Sequence, residues 1–300
     1  MDTELLMVGN SEVGSGGWDN PQSNGATSEL RLQEIGALAG NGMLSDLAAG
    51  LRVWPAWAYK GWYDIVLRYR RTAIGPLWQV ITTGVMVACL AVVGPALFGG
   101  GDPNFIPYMV AGVLSWTYIS LSISELSGAF TENAGDIRSV RGVYSTYVYR
   151  VIFRNQIIYG HLLLIFITTV LIDRGRIVPN VPVFVVGIVL VAAWLVAVGL
   201  FLAIVCARFR DIQQLISSIL QVSFLLTPVF WDKSLLLGKS REWVIQCNPL
   251  FHLLELIRAP LLGGVPSLSS YFVTLAGVLI GGGISAFLFR KNIHRVPFWL

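Results

Sequence analysis

Few residues in this chain have both the type and the spacing for chemistry. Three histidines and the three cysteines Cys89, Cys206 and Cys247 are scattered, with no metal-ligand spacing, so no metal is expected. An odd cysteine count also excludes a disulfide scaffold. A membrane transferase or protease would need carboxylates, histidine or a Ser/Lys pair inside the bilayer. His161 is the acid–base group inside an apolar stretch, and Glu125 lies at the boundary of another. A lone histidine in such a place more often hydrogen-bonds a neighbouring helix than catalyses. His252, Glu255 and Arg258 fall within one or two helical turns, and either pair internally or meet substrate. Gly238-Lys239-Ser240 imitates the end of a P-loop, but Lys233 stands where its first glycine belongs. No catalytic residue is expected, so any ATP-driven work needs an ATPase on another chain.

Other residues suit binding and mechanics. Within Leu51–Arg71, Trp54, Trp57, Tyr59, Trp62 and Tyr63 are interleaved with Lys60, Arg68, Arg70 and Arg71. Such a segment can lie along a membrane surface, rings at headgroup depth and cations toward anionic lipid. An ordinary aromatic belt accounts for it equally well. The functional reading is an amphipathic platform on which a partner pushes. Further on, Thr131–Arg141 can form a short helix, with Glu132, Asn133 and Asp136 near its start and Arg138 and Arg141 near its end, an order that suits the helix dipole. It is either a solvated connector or a piece that docks into a soluble subunit.

Two stripes are candidate linings. Gln214, Ser217, Gln221, Phe224 and Trp231 recur at spacings of 3, 4, 3 and 7, which places them on one helix face. Phe105, Tyr108 and Trp116 share a face through Gly112. Polar side chains in apolar helices usually bond a neighbouring helix. The alternative is a path for a sugar chain, where rings take the pyranose faces and amides meet the hydroxyls. Gly277 and Gly281 form a GxxxG, extended by Gly282 and Gly283, that calls for close helix packing.

These residues must be positioned by a membrane-embedded bundle. Charged residues make up 13% of the 300, about half of the ~25% usual in soluble proteins. Hydrophobic residues make up 55%, and the mean hydropathy is +0.67. A water-soluble domain cannot be surfaced from this composition, and disorder over most of the length is excluded as well. Residues 1–48 form the exception: Asn10–Ser28 is Gly/Ser/Asn-rich without apolar period, so this part is expected to be a disordered cytoplasmic tail. Its acidic start, with no apolar region and cleavage site behind it, gives no signal peptide.

Six stretches approach the ~20 apolar residues that a spanning helix needs. They are Leu77–Phe98, Phe105–Ser124, Val151–Ile172, Val183–Cys206, Leu215–Phe230 and Leu268–Phe289. The fifth carries Pro228 and is expected to break at its outer end. Pro249–Leu262 is too short to cross and reads as re-entrant or interfacial. With six spans both termini share a side, and 15 of the 21 Lys and Arg fall on that side, which makes it cytoplasmic.

Three pieces of the chain resemble a known family. Arg68-Tyr69-Arg70-Arg71-Thr72-Ala73-Ile74-Gly75-Pro76-Leu77-Trp78 is similar to the segment that opens the first span of polysaccharide-export permeases. These are the transmembrane subunits of ABC-2-type transporters that move O-antigen, capsule or teichoic acid. Arg210-Asp211-Ile212 with Leu226-Thr227-Pro228-Val229-Phe230 resembles their fifth-span pattern. Asn248-Pro249-Leu250 leading to Arg258-Ala259-Pro260-Leu261-Leu262 resembles their re-entrant stretch. The similarity is collinear over about residues 50–300.

The resemblance implies an all-α integral membrane protein of six transmembrane helices. It adds an N-terminal amphipathic interface helix, Leu51–Arg71, and a re-entrant segment between spans five and six, with residues 49–300 as the transmembrane domain. It implies a homodimer in the bacterial inner membrane, bound to two copies of a separate ATP-binding subunit that holds ATP and Mg. No cofactor is expected in this chain, and no nucleic acid as partner. The loop around Glu132, Asn133, Asp136, Arg138 and Arg141 becomes the coupling helix. The implied substrate is a polysaccharide on undecaprenyl diphosphate, with Arg68, Arg70 and Arg71 holding the diphosphate at the entrance by charge-assisted bonds. The alternatives are an ABC-2 exporter of a small lipid or drug and a membrane-embedded glycosyl- or acyltransferase.

Overall fold

The computed structural model describes residues 42–70, 72, 74, 75, 77–98, 104–139, 142–172, 176–231 and 243–300. All regular structure among them is helical. In chain order the helices are α1 (Met43–Arg52), α2 (Trp54–Tyr69), α3 (Leu77–Phe98), α4 (Phe105–Gly128), α5 (Ala134–Ser139) and α6 (Ser145–Ile172). Then come α7 (Val181–Arg208), α8 (Asp211–Leu226), α9 (Trp243–Gln246), α10 (Pro249–Leu261), α11 (Leu268–Asn292) and, after one 3-10 turn, α12 (Val296–Trp299).

Among the described residues, five helices, α3, α4, α6, α7 and α11, carry stretches long and apolar enough to cross a membrane. The expected fifth span is different. It is the shorter helix α8, whose 16 residues rise about 24 Å against a hydrocarbon core of ~30 Å. The cause is local. A proline disfavours helical backbone in the residue before it, and Thr227, before Pro228, is extended with ψ 135°. The chain beyond runs against α4, where a Cβ on Gly112 would lie 2.0 Å from the Val229 carbonyl oxygen.

The platform also divides. Leu51–Arg71, expected as one element, breaks at Val53 (φ −94°, ψ 26°) into α1 and α2. Pro55 follows in the first turn of α2, where its missing N–H removes no helical bond. α1 begins at Met43, six residues inside the stretch assigned to the tail. Residues 1–41 lie outside the described residues.

α4 is the centre of the bundle. Its apolar stretch is 72% buried, whereas those of α3 and α11 are 17% buried and present broad apolar faces outward. Around α4 stand α3, α6, α7, α8 and α10. The glycine stripe of α11 does what its spacing predicts: a Cβ on Gly277 would sit 2.4 Å from the Trp194 indole nitrogen, and one on Gly281 3.1 Å from Val198, so α11 lies close on α7. Ser285 donates to the Ala197 carbonyl across the same seam.

α10 begins and ends at the same end of the bundle. Its capping residue Asn248 bonds Thr227 beyond α8, and its Pro260 carbonyl accepts from Asn180 at the start of α7. Between these points the Leu256 carbonyl lies where a Cβ on Gly187 would be 2.1 Å away. Gly187 is six residues past the start of α7, so this contact lies about 9 Å along that helix.

Candidate functional site

One end of the bundle collects the charged residues of four separate segments. α2 supplies Asp64 and Arg68, the last turn of α4 supplies Glu125, the turn before α5 supplies Asn133, and the first turns of α6 supply Arg150 and Arg154. Arg150 and Arg154 are four apart and therefore share a face of α6. Arg150 grips Asp64 as a fork, Nε to Oδ2 at 2.6 Å and Nη2 to Oδ1 at 2.5 Å. Its third arm reaches Asn133 Oδ1 at 3.1 Å. Arg154 joins Asp64 (3.1 Å) to Glu125 (2.7 Å), and Arg68 closes on the other Glu125 oxygen at 3.0 Å. Arg154 is buried, with 9% of its side chain exposed, while Arg68 is 42% exposed.

A second, looser tie runs from Lys60 on α2 to Asp136 on α5 at 3.5 Å, both well exposed. Beneath it is a cleft of about 220 Å³ lined by Val53, Trp57, Lys60, Asp136, Tyr147 and Arg150. Glu132 stands nearby, its carboxyl against Gly128. Partial burial and the Glu125 charge push that carboxyl above the usual carboxylate range. α2 rests on α6 through Gly61, Ile65 and Trp57, the last packed on Tyr149 and Phe153. Its other side exposes Trp54, Tyr59, Trp62 and Tyr63.

This arrangement is mechanical. The salt-bridged groups hold one another, so a displacement of the 131–139 segment reaches α2 through Asn133–Arg150–Asp64 and Asp136–Lys60. Of the expected coupling residues, Glu132, Asn133, Asp136 and Arg138 lie together in this segment, though the helix is the six residues of α5 rather than the eleven of Thr131–Arg141. Arg141 lies outside the described residues. Of the expected diphosphate residues, Arg68 is engaged by Glu125, Arg70 is exposed at the end of α2, and Arg71 is outside the described residues. Asp64, Arg150 and Arg154 escaped sequence reasoning as a site. Their signal was a carboxylate among the platform's cations, and two arginines four residues apart that had served only as positive charges.

The stripes separate into rings and amides. Trp116 packs on Phe224 (5.8 Å between centroids), and Phe224 on Phe230 (5.2 Å). Phe105 fills the space over Gly94 of α3, and Trp231 donates to the Leu225 carbonyl. Gln214 and Gln221 are exposed on α8, with Ser217 half-buried beside them. His161 bonds the Ile157 carbonyl of its own helix at 2.8 Å, rather than the neighbouring helix expected of it.

The far end gathers the other family-like residues. Asn248 Nδ2 donates to Thr227 Oγ1 at 2.8 Å, and its Oδ1 caps α10 at Leu250. Arg258, 1% exposed, donates to the Pro228 carbonyl and to Glu255, and stacks on the Tyr108 ring at 4.2 Å. His252 lies between Ser270 Oγ and the Gln246 carbonyl. Glu255 and Arg258 are therefore paired with each other while His252 bonds Ser270 and Gln246 instead, and the three fasten α10 to α4, α11 and the end of α8. Among the described residues, no group of three or more His, Cys, Asp or Glu is placed to hold a metal.

The ABC-2 type transporter family model matches residues 57–262, and the chain belongs to that family. Within it, the chain is similar to the O-antigen export system permease protein RfbA of Myxococcus xanthus. The identity is 22% over 197 residues, covering 65% of this chain and 76% of the relative. The chain is thus a multi-pass membrane permease of a kind that works with a separate ATP-binding subunit.

Proposed function

We propose that this chain is the transmembrane subunit of an ATP-driven exporter that moves an undecaprenyl-diphosphate-linked, O-antigen-like polysaccharide out of the bacterial cytoplasm. It works as a homodimer of six-span subunits with both termini cytoplasmic, α8 being the fifth span and α10 the re-entrant segment. ATP and Mg sit on two copies of the partner subunit. The observation that carries the reading is the brace of Asp64, Glu125, Arg150 and Arg154, which holds the amphipathic helix α2 and, through the bond from Arg150 to Asn133, reaches the coupling segment. ATP-driven closure of the partner pushes α5, and the brace transmits that push to α2 and α6.

The choice of a polar cargo is supported by α8. Gln214, Ser218 and Gln221 are exposed on a helix whose other exposed residues past its first turn are Leu215, Ile219, Val222, Leu225 and Leu226. Amides do not face hydrocarbon when a hydrated path or a second protomer is available. The O-antigen class is supported by the name of the relative. At the entrance, Arg68 spends one N–H on Glu125 of the five that a guanidinium carries. Together with Arg70 and Arg71 it can still receive a diphosphate.

The test is export from a strain lacking the gene, complemented by wild type or by Gln214→Leu with Gln221→Leu. Wild type should bring polymer to the surface; the double variant should assemble and leave polymer inside. Equal export by the variant would remove the α8 path. Purified protein that acts on lipid-linked sugar without ATP would replace the transport reading with an enzymatic one.

A further inference from the structure

α6 carries both arginines of the brace, and its first turn is held from outside. The first N–H groups of a helix lack intrahelical partners, and a Ser, Thr, Asp or Asn just ahead of the helix usually accepts from them. Here that position is Tyr144, whose side chain offers no such carboxylate or amide oxygen. The acceptor comes from α1. Asp46 Oδ1 takes the Tyr144 N–H at 3.0 Å and Oδ2 takes the Ser145 N–H at 2.7 Å, while Ser145 Oγ donates back to the Asp46 carbonyl at 2.8 Å. Asp46 is 2% exposed. Burial pushes its carboxyl up from the ordinary aspartate value, against the opposing pull of the bonds from Ser145 and Tyr144.

The rest of α1 is fitted to the same surface. Tyr149 donates to the Leu47 carbonyl at 3.2 Å, and Trp57 on α2 donates to the Gly50 carbonyl at 2.9 Å. Gly50 has no room for a side chain, since a Cβ would meet Ser145 Oγ at 2.3 Å and the Tyr149 ring at 2.8 Å. On its other side α1 packs on α11. The helix also precedes residues 57–262, the part that the family model matches.

We propose that α1 is a brace added ahead of the shared domain, with Asp46 capping α6 in trans and so positioning Arg150 and Arg154 for coupling. This rests on the transport reading above. Asp46 touches neither substrate nor nucleotide; it acts through the pitch of the first α6 turns, from which Arg150 and Arg154 reach Asp64, Asn133 and Glu125.

The experiment uses the full chain with its ATP-binding subunit, comparing wild type, Asp46→Asn and Asp46→Ala. Amide exchange is followed over 142–150, and ATP turnover is measured at matched complex yield and melting temperature. Asp46→Ala should speed exchange of the Tyr144 and Ser145 amides about tenfold and change ATP turnover by about threefold or more. Asp46→Asn, which keeps one acceptor oxygen, should fall between. If Asp46→Ala fails to reach the membrane, Asp46→Asn carries the same two readouts. Unchanged exchange overturns the cap. Faster exchange with unchanged turnover makes Asp46 merely structural and overturns the positioning role. If the wild-type chain retains no ATP-binding subunit, the transport reading falls, and this role falls with it.

Discussion

The brace makes a quantitative demand on Glu125, which holds two arginines in different surroundings. Arg154 lies on it at 2.7 Å with 9% of its side chain exposed; Arg68 lies on it at 3.0 Å with 42% exposed. Glu125→Gln removes the charge from both bonds at once. The half-exposed guanidinium of Arg68 rehydrates, so its share is about 0–1 kcal/mol. Arg154 keeps Asp64 but leaves a donor facing a neutral amide in a confined space, which costs about 2 kcal/mol. The expected loss is therefore about 2–3 kcal/mol, unequally divided. A double-mutant cycle separates the parts: Glu125→Gln with Arg154→Gln should show a coupling of about 2 kcal/mol, and Glu125→Gln with Arg68→Gln less than about 1 kcal/mol. Unfolding of the purified protein in graded denaturing detergent, followed by tryptophan fluorescence, supplies the energies. A coupling to Arg68 equal to or above that to Arg154 would refute the argument from burial. Couplings below about 0.5 kcal/mol for both would mean that the brace contributes no stability.

Other consequences are simpler to measure. Gly112→Ala should destabilise by at least about 1–3 kcal/mol because its Cβ meets the Val229 carbonyl. Gly135→Ala, with open space around it and a helical backbone, should be neutral or stabilising by up to about 1 kcal/mol in the same unfolding assay. Arg258→Leu should cost about 3–5 kcal/mol by removing a buried cation from Glu255, the Pro228 carbonyl and the Tyr108 ring, and adding Glu255→Leu should recover part of it; no recovery would place the importance of Arg258 in the Pro228 and Tyr108 contacts instead. Charge reversal at Arg138 with Arg141 should weaken co-purification of the ATP-binding subunit without lowering the melting temperature, since Arg138 is exposed on α5. Normal docking by that variant would count against α5 as the coupling element.

Much of the architecture could be read before any coordinates. Leu77–Phe98 was bounded to the residue as α3, because a run of apolar residues flanked by glycine and proline leaves helix as the way to satisfy its backbone in a membrane. Pro249–Leu262 was placed within one residue of α10 for the same reason: its prolines and length forbid a crossing. The α8 boundary was missed by four residues at each end. Its start, Asp211, lies in a charged turn that hydropathy discounts, and its end was decided by the effect of Pro228 on Thr227. The division of the platform at Val53 was missed because two amphipathic helices in series have nearly the periodicity of one.

The candidate site was legible only in part. Glu132, Asn133, Asp136 and Arg138 could be nominated because they cluster within seven positions of the chain. Asp64, Glu125, Arg150 and Arg154 could not be assembled, since residues up to 90 positions apart meet only after α2, α4 and α6 have packed. The aromatic stripes illustrate a related point. Trp116 and Phe224 each fall on their stripe and pack on one another, but a face turned toward a path and a face turned toward a neighbour have the same spacing.

What the sequence determined by itself is the class of molecule: too little polar surface for water, and apolar runs of membrane length. Those properties are sums over local composition, and local composition is all that hydropathy reads. The tertiary structure decided the pairings. It turned Arg150 and Arg154 from two positive charges into a brace, used Asp46 of a presumed tail as the cap of a helix 99 positions away, and made fasteners of His252, Glu255 and Arg258, which the sequence left either pairing internally or meeting substrate. The physical reason is that an ion pair or a trans cap depends on distance in space, which only the packed bundle defines.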